Sequence, residues 1–286
     1  MPANMIPQDP IVNAGLLYVN GLQVSNDAAL PDSVINVAVG QCRDSTNTND
    51  IFINAVYNTN VVPPVLVSNF VAASTAFVGV GGLDSGAVAA NTSYAVYVIG
   101  SSANMPYLVN YAPINQVPPI ELPFSKYPGA VILSTNFTAP ALPYGYDMFR
   151  RVGSIRTDGT SNILAFTQLG NGSGKTVLFA SAIPVLAAGQ AVNYTAVPLA
   201  AFMPSVATTV LLSATLTPHA AGDVASFQPT GAAAGATYAA VSASVAAVAQ
   251  VSQVYVPCNA AASISYKLTV NTDTLALGLQ GYVDQL

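Results

Sequence analysis

Few residues in this chain could carry chemistry, and each can be weighed by its type and spacing. Gly170-Asn171-Gly172-Ser173-Gly174-Lys175-Thr176 ends like a phosphate-binding loop. Such a loop needs another glycine five residues before its Gly-Lys pair, and a following helix whose N–H groups receive the phosphate. The glycine position holds Leu169, and 177–187 is β-like and reaches Pro184, so the segment reads as a flexible turn. His219 is the single histidine, which excludes a two-histidine metal site or shuttle. Pro218 before it and Ala220-Ala221-Gly222 after it mark a loop, and no Gly-x-Ser-x-Gly elbow stands nearby. Glu121 is the single glutamate, so paired carboxylates for sugar cleavage would have to be aspartates such as Asp84, Asp147 and Asp158. Each of those has a turn or pairing role that explains it. Cys42 and Cys258 lack metal-ligand spacing and read as two buried thiols, with a mutual bridge as the alternative. No catalytic residue, cofactor or metal site is expected.

Four of the seven basic residues, Arg150, Arg151, Arg156 and Lys175, fall in or beside a hairpin-like stretch over 149–169. Its turn is Asp158-Gly159-Thr160-Ser161, and Asp-Gly between apolar-periodic runs is a strong turn signal. A buried unpaired guanidinium is costly, so Arg150, Arg151 and Arg156 are expected to form ion pairs with scarce acids, Asp84 and Asp158 among them. A solvated position for one or two of the arginines is the alternative.

The elements that must position these residues follow from composition. Charged residues make up 7% of the 286 residues, against roughly a quarter in an average soluble protein. One glutamate and three lysines cannot furnish the wet faces of surface helices. Strand and turn formers abound, so the expected class is all-β: two antiparallel β-sandwich or jelly-roll-like units with an extended N-terminal arm. A net charge of −5 and seven basic residues argue against a nucleic-acid surface. The mean hydropathy of +0.50 raises the question of a membrane. No run of about 18 apolar residues answers it, and residues 1–10 lack a leader's basic and apolar regions, so no membrane insertion is expected. Low charge also means little self-repulsion, which suits a protein covered by copies of itself.

Along the chain, residues 1–35 read as an arm interrupted by Pro2, Pro7, Pro10 and Pro31, docking on a partner or forming a loose terminus. Residues 36–180 read as a β domain, and 181–286 as a C-terminal β-sandwich. In the first, 93–99 is apolar on both faces and is expected to be a central strand. The proline-rich excursion 101–128 carries Tyr107, Tyr111 and Tyr127, and reads as a partner-contact loop or a packed Ω-like element. In the second, 208–216 and 263–270 alternate at period two, with Val210, Leu212, Ile264 and Tyr266 inward and Ser263 and Ser265 outward.

Several phrases resemble a family of bacteriophage tail-fibre and related virion proteins. They are Arg43-Asp44-Ser45-Thr46-Asn47-Thr48-Asn49-Asp50-Ile51, then Gly81-Gly82-Leu83-Asp84-Ser85-Gly86 with Asn91-Thr92 and Tyr94, and Leu142-Pro143-Tyr144-Gly145-Tyr146. The most specific is Arg150-Arg151-Val152-Gly153-Ser154-Ile155-Arg156-Thr157-Asp158-Gly159, and Gly281-Tyr282-Val283-Asp284 is similar to the family's end. Ser93 stands where the family has an aromatic residue, and the proline-rich run is longer than the short turn expected there. The resemblance implies a non-enzymatic virion protein, made in the host bacterium and mounted on the tail or another external appendage. It implies self-association, with trimers favoured, and contact with other virion proteins through the arm. It also implies attachment to a host surface glycan or protein receptor. A capsid decoration or head-fibre protein is the alternative, and a polysaccharide-degrading tail enzyme a more distant one.

Overall fold

The computed structural model describes residues 18–54, 56–58, 65–102, 129–172, 174–233 and 236–286. Every regular element among them is a strand, and the all-β expectation holds. In chain order the first ten are β1 (Val19–Gly21), β2 (Val24–Asn26), β3 (Val34–Ala38), β4 (Gly40–Arg43), β5 (Asp50–Ile53), β6 (Val56–Asn58), β7 (Val65–Ser68), β8 (Phe70–Ser74), β9 (Ser93–Gly100) and β10 (Ala130–Ser134). The others are β11 (Met148–Arg156), β12 (Phe166–Leu169), β13 (Gly174–Gly189), β14 (Thr195–Pro198), β15 (Ala207–Thr217), β16 (Val224–Pro229), β17 (Ala239–Ser242), β18 (Gln250–Pro257), β19 (Ser263–Leu268) and β20 (Thr274–Gln285). Tyr107, Tyr111, Tyr127 and residues 1–17 lie outside the described residues.

An eight-stranded antiparallel sheet runs β18-β15-β20-β13-β12-β2-β3-β8. A four-stranded sheet, β14-β19-β16-β17, lies over its C-terminal half, and a three-stranded sheet, β10-β9-β11, over the other. Smaller sheets are β1-β4-β5 and β6-β7. The expected division near residue 180 falls inside β13, which pairs with β12 on one side and β20 on the other. The two packed halves therefore share one sheet.

Strand patterning explains the layers. Val210, Leu212, Ala214 and Leu216 of β15 and Leu275, Leu277 and Leu279 of β20 bury one face against Phe227, Ile264 and Tyr266. Ser263 and Ser265 are also buried, contrary to their expected outward position. Their hydroxyls meet the Thr230 hydroxyl at 2.9 and 3.0 Å, which meets the cost of burial. β9 is the central strand expected from its two apolar faces: Tyr94, Val96 and Val98 enter the main core, while Ala95, Tyr97 and Ile99 build a second one.

Two local readings need correction. Residues 18–35 are not an arm: Val19, Leu22 and Val24 are buried, and β1 and β2 are paired into sheets. The Asp158 turn closes as expected, its N–H donating to Asn162 O at 2.8 Å. Its arms part after a single bridge from Thr157 to Ile163, because Ile155 and Phe166 enter one core from opposite layers. β11 then pairs with β9, and β12 with β13 and β2.

Candidate functional site

β11 carries the three arginines, and a bulge decides where they point. Arg151 pairs with Tyr97 and Gly153 with Val96, which leaves Val152 as the extra residue. In a regular strand Arg151 and Ser154 would face opposite ways; the added residue restores them to one face, with Arg156. A Cβ on Gly153 would come within 2.4 Å of Gln168 Nε2, so glycine leaves that amide its place. Gln168 uses it to donate to the bulge carbonyl, Val152 O, at 3.3 Å.

The face so formed meets the end of β20. Arg151 forms an ion pair with Asp284 through Nη1 and donates to Gln285 O through Nη2. Ser154 Oγ donates to Asp284 Oδ2 at 2.7 Å and lies 2.9 Å from Tyr282 Oη. Burial pushes the Tyr282 phenol well above its ordinary value. This network joins residues about 130 positions apart and reads as a structural tie.

On the other side of Gln168 lies Lys175, wholly buried. Its ammonium donates to Leu22 O at 2.7 Å, Gly21 O at 3.3 Å and Gln168 Oε1 at 3.3 Å. Leu22 has a left-handed φ of 52° in this turn. The lysine of the apparent phosphate loop is thus turned inward. Burial, the largest influence, pulls its pKa from 10.5 to about 8, against the opposing pull of Asp284 and Cys42. Between about pH 8 and the unfolded value near 10.4 the unfolded chain binds more protons, so this group's contribution to stability rises with pH through that window. In denaturant titrations, the stability of wild type minus that of Lys175→Met is therefore expected to grow by about 2 kcal/mol from pH 7 to pH 10. Tyrosine and thiol titrations common to both proteins cancel in that difference. A difference independent of pH would contradict a buried, depressed Lys175.

The expected pairing of the arginines with Asp84 and Asp158 is corrected. The Asp84 carboxylate accepts from Ala141 N–H at 2.9 Å, and Asp158 from Thr160 N–H at 2.7 Å and Asn162 N–H at 2.9 Å. Short turns present backbone donors to aspartate before any arginine can reach it. The ion pairs among the described residues are Arg151–Asp284 and Arg43–Asp50. Arg150 is buried, and its guanidinium is pulled below the ordinary arginine value by desolvation. His219 sits in a loop, its N–H donating to Asp273 Oδ1 at 2.7 Å. Cys42 and Cys258 are separate thiols, each pushed up to about 12 by burial.

Arg156, at the end of β11, is different. It is 4% exposed, its guanidinium carbon lies 5.8 Å from the Phe202 ring centre, and no carboxylate pairs with it among the described residues. It lines a cleft of about 340 Å³ with Asn91, Thr92, Ser93, Thr135 and Ser205. A smaller cleft of about 180 Å³ lies beside Arg150, Arg151 and Leu286, and Phe137 borders both. Sequence reasoning missed Ser93, Gln168, Lys175 and Asp284 as partners in these sites. The one available signal was that Asp284 is the single charged residue of the final strand. No protein-family model matches the chain, and searches of curated proteins and of solved structures found no match.

Proposed function

We propose that this chain is a non-enzymatic structural subunit of a bacteriophage particle, a tail-fibre or fibre-adaptor protein that self-associates and contributes to host attachment. The observation that carries this reading is the edge of the eight-stranded sheet at β18. Edge strands of solitary proteins are normally protected by charge, proline, a bulge or a covering loop. The far edge is protected: Ser74 N–H of β8 donates to Gly81 O at 2.8 Å, and 81–84 is bonded onward to β10. β18 pairs with β15 in unbroken register and has no strand on its other side among the described residues. Its outward residues include Val251, 67% exposed, and Tyr255, 59% exposed, and no charged residue lies between Asp223 and Lys267.

A second copy of the chain fits this edge. Antiparallel pairing of two β18 strands about Gln253 sets Val251 of each copy opposite Tyr255 of the other, a favourable aromatic and β-branched pair made twice. Neither copy brings charge to the contact, so the −5 of each chain does not oppose it there. Such a two-fold contact differs from the three-fold axis that the sequence resemblance implies, and the mass in solution separates them.

The resemblance supports the virion setting, and its most specific phrase, 150–159, coincides with the bulged strand and turn that tie the halves together. Immunogold labelling of purified particles tests the placement. Signal on the tail or its appendages is expected; signal on the head would favour the decoration reading instead, and unlabelled particles would overturn both.

A further inference from the structure

We propose that the Arg156 cleft binds a carboxylate-bearing monosaccharide, a uronic acid, with the sugar carboxylate on the Arg156 guanidinium. Two observations point to a missing ligand. The first is Arg156, a residue 4% exposed overall, whose guanidinium has the Phe202 ring and the Tyr282 phenol as neighbours and no carboxylate partner among the described residues. The second is Ser93 Oγ, buried without a hydrogen-bond partner. Ser93 and Arg156 are cross-strand neighbours on β9 and β11, and both line the same cleft. A guanidinium held in a cleft without a carboxylate partner is unfavourable, and an anion seated on it removes that cost.

The lining sets the chemical class. Arg156 is the single charged residue among the described residues that line it, so the site as described neutralises one negative charge. A planar carboxylate takes the guanidinium fork in two parallel hydrogen bonds, whereas a dianionic phosphate would keep a charge uncompensated in a chain that is already at −5. The remaining polar groups, the Asn91 amide and the Thr92, Thr135 and Ser205 hydroxyls, suit a polyol. Phe137, Met203 and Pro204 offer apolar surface to the C–H face of a sugar ring. A volume of about 340 Å³ accommodates one monosaccharide. Among the described residues no carboxylate lines the cleft, so the residues present are suited to holding the sugar. That the sugar would belong to a host-surface glycan rests on the attachment reading above; the binding does not.

The test is calorimetric titration of the full chain with glucuronate, glucose and glucose 6-phosphate. Saturable glucuronate binding is expected, with glucose weaker by at least about tenfold through the loss of one charge-assisted contact, and glucose 6-phosphate weaker because its second charge stays uncompensated. Arg156→Gln should lose the glucuronate signal. Ala200→Trp, at an exposed position on the cleft wall, should block the site while leaving the melting temperature unchanged, and decides the question alone if Arg156→Gln does not fold. Absence of saturable glucuronate binding, equal binding of glucose, or binding untouched by Ala200→Trp would overturn the site. None of these results bears on particle labelling or on self-association, so failure here is distinct from failure of the proposed function.

Discussion

Arg151→Ala is expected to lower the free energy of unfolding by about 3–5 kcal/mol, measured by denaturant titration at neutral pH. The reason is what the substitution leaves behind. Asp284 is fully buried, and its carboxylate would keep only the Ser154 hydroxyl, while Gln285 O would lose a donor. The cost is therefore that of a buried charge stripped of its ion-pair partner and left with only the more distant Lys175 as countercharge, larger than the net worth of the pair. Replacing both partners with apolar residues, Arg151→Met with Asp284→Leu, should recover much of the loss for the same reason. A loss below about 1 kcal/mol for Arg151→Ala would place the guanidinium in solvent, where ion pairs contribute little.

Gly281→Ala is expected to destabilise by about 3 kcal/mol, at the upper end of the range for forced overpacking. Gly281 lies in β20 between β13 and β15, with Leu178 on one side and Leu211 on the other. Both ladders shift register beside it, so the three backbones are drawn together there. A Cβ would fall 2.2 Å from Val177 O and 3.2 Å from Leu178 Cα, and neither backbone atom is free to swing aside. Gly174→Ala in the same β13–β20 pairing meets nothing within 4 Å and should stay within about 0.5 kcal/mol of wild type. Equal effects at the two positions would show that propensity, and not close approach, sets the cost.

The class of the fold was legible because it depends on residue type, and the faces of β9 and β15 because they depend on period two. Partnership was not legible. Alternation says which way a side chain points but not which strand lies beside it, so the strong Asp158 turn suggested a hairpin whose arms enter different sheets. The arginines show a second reason. The extra residue at Val152 changes the face parity of everything after it, and parity counted from sequence fails across a bulge. The true partner of Arg151 stands 133 residues away, at Asp284, where neither spacing nor local pattern can reach. Lys175 was legible only as the end of a flexible turn, because the acceptors that make its burial tolerable, the carbonyls of Gly21 and Leu22 and the Gln168 amide oxygen, are not placed beside it by the local sequence.

Self-association through β18 is the claim on which the functional account stands, and sedimentation equilibrium of the wild type beside Tyr255→Asp tests it most directly. Tyr255 is exposed in the single chain, so the aspartate harms only an assembled edge. The account predicts a wild-type mass of at least two chains and a variant at the single-chain 29.2 kDa. A wild type that sediments as one chain, or a variant whose assembly is undisturbed, would contradict it.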